Sequence, residues 1–312
     1  KQAIKIHSKL GNFKAILELI DKLIGQIHAI DQSYAISSLY RIVTRMEKYP
    51  NWFQRDVYVK LDRFLTSNSN QSSNDFKRIR MKIDMSLVNV LINEGELYNA
   101  MDILKRLESS IDNLSGSLKG TYLLDIIVSQ LTIVMNSDNR QIDEISRLVN
   151  VTKDYMTGIP HAKVVGVINE AMGLIAMHDR NYQLANDNFR TSFKGFCDAG
   201  DDRKVNLMTK YVVSSLLSRS QVNPFDSNDF HGLLKLDLNV KLMEIYNCVQ
   251  NSDIKGFHNC VDGMNVQHDY FLVDYLPHLV ELIKSNYIIK CVPLMKRVRF
   301  RYLFSKMDTD VY

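Results

Sequence analysis

The sequence is poor in the residues that form tight turns, with 13 glycines and 5 prolines among 312 residues. An all-β protein needs many such residues between its strands, so this shortage disfavours a sandwich or a barrel. The four cysteines show no C-x-x-C spacing and are too sparse for a disulfide framework. We therefore expect a mostly helical protein in a reduced compartment, in the nucleus and cytoplasm.

Long apolar runs and a strong excess of one charge are also missing. The longest apolar stretch, from Leu123 to Met135, contains Asp125 and Gln130 and is far shorter than the ~20 residues that cross a bilayer. The 39 Lys and Arg residues against 35 Asp and Glu residues leave a net charge of +4. No membrane span is predicted, and any basic surface must be local.

A short pattern recurs along the chain: a small or polar turn residue, an apolar residue two positions later, and another three further on. The copies begin at Gly11, Gly95, Arg140, Arg180, Ser220 and Ser252, with a weaker copy near Asn51 and Phe53. They follow one another about every 40 residues, a period typical of stacked helical hairpins. The turn residue reverses the chain, and the apolar residues begin the buried stripe of the next helix.

Apolar residues three and four positions apart support this interpretation, because such residues share one helix face. They are Ile16, Leu19, Ile20, Leu23, Ile24 and Ile27; Leu97, Ala100, Met101 and Leu104; and Ala185, Phe189 and Phe193. Such hairpins bury little surface alone and form a continuous core when stacked. The predicted fold class is an all-α helical-repeat solenoid.

Three segments interrupt the helical pattern. Thr66–Asp75 is rich in Asn and Ser and predicts a loop, and Asn223–Gly232 predicts a fixed connector. From Arg297 to Tyr302 apolar and basic residues alternate, which predicts a strand with Val298, Phe300 and Tyr302 on one face and Arg297, Arg299 and Arg301 on the other. Ser305 then fits the N-cap of a further helix, so a small α/β module is expected to begin here.

The familiar catalytic motifs are missing from the sequence. It contains no G-x-x-x-x-G-K-[ST], G-x-G-x-x-G, H-E-x-x-H or G-x-S-x-G, and no His-X-His pair of a JAMM-type zinc isopeptidase. Cys248, His258, Cys260 and His268 match no standard zinc spacing, so we interpret them as packed or surface residues. Asp143/Glu144 and Asp201/Asp202 are interpreted as acids at helix ends or in loops. We predict no catalytic residue, metal or cofactor.

Two basic segments are candidate contact sites. Lys1, Lys5 and Lys9 share one helix face, with Lys14 beyond the Gly11 turn. This face is either solvated or a contact for an acidic protein surface or a polyanion. Near the other end, Lys296, Arg297, Arg299, Arg301 and Lys306 alternate with aromatic residues, a pattern also seen in nucleic-acid-binding proteins. Because these aromatic residues lie on the opposite strand face, we interpret them as core.

Several longer runs resemble a known family. They are I-P-H-A-K-V-V-G-V-I-N-E-A-M-G from Ile159, N-Y-Q-L-A-N-D-N-F-R-T-S-F-K-G-F from Asn181, L-M-T-K-Y-V-V-S-S-L-L from Leu207, and V-N-P-F-D-S from Val222. Together with K-Q-A-I-K-I-H-S-K-L-G-N-F at Lys1–Phe13, they resemble subunit 2 of the COP9 signalosome, a family of PCI-domain proteins. The connector Asn223-Pro224-Phe225-Asp226-Ser227 is the most specific part.

The resemblance implies a right-handed helical-repeat arm over residues 1–158, the helical part of a PCI module over 159–289, and the start of a winged helix over 290–312. It implies a non-catalytic scaffold in a complex that removes Nedd8 from cullins, with a separate metallo-isopeptidase subunit. The arm would contact the cullin and its RING partner, and the winged helix would join other PCI subunits. Lys1, Lys5 and Lys9 are the remaining neighbours of the family's inositol hexakisphosphate site.

The sequence departs from the family where a repeat turn usually carries glycine and this chain has Arg180 followed by Asn181. The segment Val261–Asp269 has no clear counterpart. Two alternatives stay open. The first is a proteasome-lid PCI subunit, which would lack the N-P-F-D-S connector, and the second is a free-standing winged-helix protein that binds nucleic acid.

Overall fold

The structure is a computed structural model, and it describes most of the chain. The described residues are 12–26, 32–67, 74–111, 117–137, 141–156, 160–226, 230, 232–233, 236–263, 269–294, 297, 299 and 301–303.

The described residues are almost entirely helical, and they contain no β-strand. The α-helices are α1 (Phe13–Gln26), α2 (Gln32–Met46), α3 (Asn51–Ser67), α4 (Asn74–Glu94), α5 (Leu97–Ile111), α6 (Ser117–Asn136), α7 (Ile142–Tyr155), α8 (Ala162–His178), α9 (Tyr182–Ala199), α10 (Arg203–Leu217), α11 (Asp237–Asn251), α12 (Ile254–Gly263) and α13 (Tyr270–Cys291). Short 3₁₀ helices occupy Pro224–Asp226 and Val292–Leu294. The predicted all-α fold class is confirmed. None of the described helices is long and apolar enough to span a bilayer.

The chain divides into two compact units, and the first comprises Lys1–Gln141 with Val151–Thr157. Within it α3 packs on α4, α4 on α5 and α5 on α6, while α1 packs on α3, α2 on α4 and α4 on α6. Contacts to the next helix and the one after it are the packing of stacked helical hairpins. The core is apolar and well filled, with Phe53, Tyr58 and Leu61 fully buried in α3.

The second unit comprises Ile142–Asn150 with Gly158–Tyr312. Here α9 packs on both α8 and α10, and α13 packs on α10, α11 and α12. Phe189 and Phe271 are buried, and their rings meet edge to face with centroids 6.2 Å apart. Their contact joins α9 to α13 within this unit.

The helices turn back on themselves at residues with positive φ. Gly95, Arg180 and Ser252 have φ values of 81°, 58° and 60°, and all three are turn positions predicted from the repeat. After each, the next N–H bonds to a carbonyl five residues earlier, as from Asn181 to Ala176 at 2.8 Å. This left-handed residue and its hydrogen bond are the Schellman ending of a helix. A sequence pattern that marks helix reversals therefore corresponds to a real backbone motif.

The predicted apolar stripes are also confirmed. Ile16 and Ile20 in α1, Ala100 and Leu104 in α5, and all three residues Ala185, Phe189 and Phe193 in α9 are buried. Leu19, Leu23, Ile24, Leu97 and Met101 are partly buried against the core of the first unit. Ile27, Gly11 and Arg140 lie outside the described residues.

The loop predicted for Thr66–Asp75 is wrong at its ends, because α3 continues to Ser67 and α4 begins at Asn74. The Thr66 hydroxyl bonds to Asp62 one turn earlier, at 3.4 Å, so this polar residue is satisfied within the helix. Residues 68–73 lie outside the described part.

The strand predicted for Arg297–Tyr302 is wrong at Arg301 and Tyr302, which begin a helical turn. The N–H groups of Tyr302 and Leu303 both donate to the Arg299 carbonyl, at 3.0 and 3.3 Å. Leu303 is buried, so the turn also places an apolar side chain out of water. A strand requires a neighbouring strand for its backbone groups, and the described residues supply none. Val298, Phe300 and Ser305 lie outside the description.

Candidate functional site

The runs that resemble the family fold into α8, α9 and α10, and their glycines let α8 and α9 approach closely. A Cβ atom on Gly173 would lie 2.4 Å from the Phe189 ring, and one on Gly166 would lie 2.8 Å from the Phe196 ring. On the other helix, a Cβ on Gly195 would lie 2.8 Å from the Ala162 carbonyl oxygen. These motif glycines are therefore packing residues that bring two helices together.

A buried ion pair joins the same group of helices. Lys210 of α10 bonds to Glu170 of α8, and only 15% and 11% of their side chains are exposed. The Ser192 hydroxyl of α9, which is fully buried, donates to the Gly166 carbonyl at 2.7 Å. Removing one partner of a buried pair leaves an uncompensated charge, so this pair fixes one arrangement of α8 and α10.

Side-chain contacts hold the N-terminal ends of α8 and α10 in place. The N–H of Lys163 donates to His161 Nδ1, which caps α8, and the Lys163 ammonium pairs with Asp201 at 2.9 Å. Burial raises the pKa of Asp201, but the Arg203 N–H and Lys163 outweigh burial and leave this pKa below its ordinary value. Asp201 is thus a structural acid before α10. Asp143 and Glu144 lie in the first turn of α7, a helix end as expected.

The connector after α10 is held in a compact turn by hydrogen bonds within the segment. The Asn223 side chain accepts the Phe225 N–H at 3.1 Å and donates to Asp226 at 2.9 Å, while the Asp226 N–H donates to the Asn223 carbonyl at 3.2 Å. Pro224 and Phe225 are buried. These contacts hold the described part of the predicted connector, Asn223–Asp226, and Ser227 lies outside the described residues.

Aromatic rings anchor the connector to the second unit. Phe225 meets Phe230 and Tyr246 with ring centroids 6.1 and 5.7 Å apart. Phe230 in turn stacks on Phe193 of α9, with centroids 4.3 Å apart. The N-P-F-D segment therefore links α9, α10 and α11 through one aromatic cluster, and its place in the fold is structural.

The structure describes only some of the predicted basic contact residues. Lys14 is exposed on α1, whereas Lys1, Lys5 and Lys9 lie outside the described residues. Arg297, Arg299 and Arg301 are exposed, and Tyr302 is 47% exposed rather than part of a core face. The described part of the C-terminal segment thus presents three guanidinium groups to solvent.

The cysteines and histidines do not form a recognisable centre in the described part of the chain. Burial, followed by the neighbouring Cys260 thiol, raises the pKa of Cys248 to about 11, so Cys248 stays protonated at neutral pH. His258 instead packs against the Phe257 ring at 5.9 Å, and His268 is not described. No group of three or more His, Cys, Asp or Glu residues arranged for a metal ion was found there.

Sequence reasoning missed a charged cluster at the turn between α4 and α5. The Arg55 guanidinium of α3 bonds to Glu94 at 2.9 Å and to Glu96 at 2.6 and 3.1 Å. The hydrogen bonds that Arg55 donates, first to Glu96 and then to Glu94, raise the pKa of Arg55, and the bond to Glu96 lowers the pKa of Glu96. Glu94 and Glu96 flank Gly95, so two acids on either side of a predicted turn glycine were the sequence signal for this cluster.

A buried carboxyl group was missed as well. Asp84 in α4 is 8% exposed, and burial, followed by nearby Asp62, raises its pKa to about 7. Arg80 and Arg106 oppose that rise, with Arg80 Nε 3.9 Å from Asp84 Oδ2. Asp84 lies three and four residues before the buried Leu87 and Val88, so an acid on an apolar helix face was the available sign.

Comparison with curated proteins finds relatives along nearly the whole chain, although no protein-family model matches it. COP9 signalosome complex subunit 2 of Neurospora crassa is 23% identical over 314 residues, which is 98% of this chain and 63% of that protein. The Schizosaccharomyces pombe protein of that name is 23% identical, covering 100% of this chain and 71% of its own length. The Drosophila melanogaster protein is 23% identical, covering 99% and 70%.

The chain thus spans about two thirds of the length of these relatives, 63% of the first and 71% of the second. The matches come from diverse eukaryotes and run through both structural units. The all-helical architecture is consistent with a helical-repeat solenoid and a PCI module. By this similarity over nearly its whole length, the chain is a divergent relative of COP9 signalosome subunit 2.

Proposed function

We propose that the protein is a non-catalytic scaffold subunit of a COP9 signalosome. In this role it docks cullin–RING ligases so that a separate metallo-isopeptidase subunit removes Nedd8. The observation that carries the proposal is similarity over nearly the whole chain to proteins named as subunit 2 of that complex. The residues behind the resemblance, such as Gly173, Lys210 and Phe225, support helix packing, which suits a rigid scaffold.

The partners follow from this proposal. They are the other PCI subunits, the metallo-isopeptidase and the cullin–RING ligase as substrate, with inositol hexakisphosphate as a further ligand near Lys1, Lys5 and Lys9. The residues around Arg297, Arg299 and Arg301 would contribute to assembly with other PCI subunits. The protein would act in the nucleus and cytoplasm.

The proposed mechanism is positional. A basic edge formed by Lys1, Lys5, Lys9 and Lys14 meets an acidic surface of the cullin and orients the modified lysine towards the metalloenzyme subunit. Opposite charges raise the association rate, and salt weakens this steering. The exposed Lys14 is the described residue of this edge.

Co-purification with the tagged protein from its own cells, followed by mass spectrometry, tests the assembly. Cullins, other PCI subunits and a JAMM-type subunit are the expected partners. Proteasome subunits instead would assign the chain to the proteasome lid, and recovery without stable protein partners would contradict the scaffold role.

Charge reversal tests the docking edge. Substituting Lys1, Lys5, Lys9 and Lys14 with Glu should weaken cullin binding at low salt, because four attractive charges become repulsive. Lys194→Glu is the control, since this exposed lysine lies on α9 in the other unit. Unchanged cullin affinity in the fourfold variant would rule out docking by this edge, while leaving membership of the complex intact.

A further inference from the structure

The first structural unit contains a groove that neither the family resemblance nor the proposed function uses. A cavity of about 590 Å³ opens along α2, with Leu23 of α1 on its other wall. A second hollow of about 310 Å³ lies between α2 and α4. Tyr40 and Arg41 line both, so the two hollows meet at these residues. We call the two together the Tyr40 groove.

The floor of the groove is apolar and its rim is aromatic. Ile42 and Met46 line the larger cavity and are 7% and 0% exposed, so they belong to the core. Tyr34 and Tyr40 line it too, yet they are 59% and 50% exposed. Exposed tyrosines beside an apolar hollow are typical of the central anchor points of protein interfaces.

The described charged side chains that line the groove are all positive. Arg41, Arg45 and Lys48 line the larger cavity, are exposed, and form no ion pair with any described residue. Among the described residues, no carboxylate lines either hollow. The nearby Glu47 is not among the lining residues; it acts instead on the buried Tyr58 of α3, whose pKa burial and then Glu47 raise to about 12.

A lysine from α4 extends the positive rim. The Lys82 ammonium lies 4.5 Å from the centre of the Tyr40 ring and 3.5 Å from its hydroxyl. This cation–π contact favours one position of the ring between the two hollows. The anchor residue is therefore partly organised before any partner binds, which lowers the entropy lost on binding.

We propose that the Tyr40 groove binds an acidic protein segment that carries bulky apolar side chains. The apolar floor accepts one or two of these side chains, since the cavity volume falls within the range of ordinary binding pockets. The guanidinium groups of Arg41 and Arg45 bind carboxylates, for which their forked geometry is suited. A ligand with charge alone would leave the floor and both tyrosines in water, so the floor favours a peptide over a simple polyanion.

The described lining residues of this groove include none of Lys1, Lys5, Lys9 and Lys14. The proposal stands whichever complex the chain joins, because it depends only on the residues of α1, α2 and α4. The occupant is defined by its chemistry, with negative charges spaced around Leu, Phe or similar side chains.

Fluorescence anisotropy with the whole chain tests the proposal. The probes are three labelled peptides rich in Asp and Glu, with Leu and Phe at every second, third or fourth position. Each has two counterparts, one with Ser in place of Leu and Phe and one with Gln and Asn in place of the acids. We expect saturable binding of at least one acidic, apolar peptide, and at least about tenfold weaker binding of both its counterparts.

Substitutions in the groove test whether the peptides bind at the Tyr40 groove. Arg41→Glu with Arg45→Glu, and separately Tyr40→Ser, should each weaken binding about tenfold or more. Lys105→Glu with Lys194→Glu is the matched control, since both lysines are exposed and neither lines the groove, and it should change affinity less than about twofold. Saturable binding by none of the peptides, equal binding of the Ser counterpart, or unchanged affinity in the groove variants would each overturn the proposal.

Discussion

At the level of single residues, Gly173 shows how little space separates α8 from α9. Gly173→Ala would place a methyl group 2.4 Å from the Phe189 ring, which is fully buried and has no free volume to enter. We expect a loss of about 1–3 kcal/mol in the free energy of unfolding, measured by urea denaturation.

Gly120→Ala is the matched control, since Gly120 lies in α6 with nothing within 4 Å of an added Cβ. This change should leave stability equal or raise it by up to ~1 kcal/mol, because alanine favours the helix. Equal effects of the two substitutions would show that α8 and α9 can shift apart to accommodate the added methyl group.

The buried Asp84 makes stability depend on pH near neutrality. Burial and Asp62 raise its folded-state pKa to about 7, above the value of 3.8 expected in the unfolded chain, while Arg80 and Arg106 partly oppose the rise. Between these values the folded state binds the proton more tightly, so the stabilisation is complete below about pH 4 and is lost as the pH rises towards 7.

Asp84→Asn should remove this dependence, because the amide resembles the protonated carboxyl group. At pH 8 the variant should be more stable than the parent by on the order of 4 kcal/mol, and at pH 4 the two should be nearly equal. Urea denaturation at both pH values measures the difference. A constant difference between the curves would mean that Asp84 does not titrate in this range.

At the level of helices and turns, Arg180 occupies a conformation that glycine adopts more easily. Its φ of 58° costs a residue with a Cβ about 1 kcal/mol, and its side chain is exposed. Arg180→Gly should therefore raise the free energy of unfolding by about 0.5–1 kcal/mol, less any entropy that glycine adds to the unfolded chain.

Gly200→Ala provides the opposite comparison, since Gly200 ends α9 with φ at 65° and open space around its Cβ position. Thermal unfolding followed by circular dichroism should give a lower midpoint for this variant and a higher one for Arg180→Gly. A lower midpoint in both would show that the Arg180 side chain stabilises the turn by contacts of its own.

The connector between α10 and α11 depends on one amide side chain. Asn223→Ala removes the acceptor for the Phe225 N–H and the donor to Asp226, and we expect a loss of about 1–2 kcal/mol in urea denaturation. Asn99→Ala removes a hydrogen bond from the exposed Asn99 to Glu96 and should change stability by less than ~0.5 kcal/mol. An Asn223→Ala variant with an unchanged free energy of unfolding would mean that Pro224 and Phe225 alone hold the connector.

At the level of the whole molecule, charge balance argues against nucleic-acid binding. With 39 basic and 35 acidic residues, we expect only weak binding to duplex DNA that disappears between about 50 and 200 mM salt. Arg297, Arg299 and Arg301 are the exposed residues to substitute with Glu, and anisotropy with labelled duplex is the measurement. Tight binding at the higher salt, lost in that triple variant, would favour the nucleic-acid-binding alternative.

The architecture was predictable because local signals repeat. Stripes such as Ala185, Phe189 and Phe193 mark helix faces, and turn residues such as Gly95 mark reversals. The Glu170–Lys210 pair joins residues far apart in sequence, and the Tyr40 groove depends on the spacing of helices. Neither feature can be predicted from residues that lie close together in the sequence. The strand prediction failed at Arg301 and Tyr302 because alternation over six residues indicates a periodicity but cannot supply a neighbouring strand.

The packing of α8 against α9 also constrains how this protein can change over evolutionary time. Position 173 tolerates a larger side chain only if position 189 becomes smaller, and the same holds for positions 166 and 196. Each pair lies far apart in sequence but must accept substitutions jointly. Gly173→Ala combined with Phe189→Leu should accordingly be less harmful than the sum of the two single changes. Among distant relatives, we expect these positions to vary in pairs.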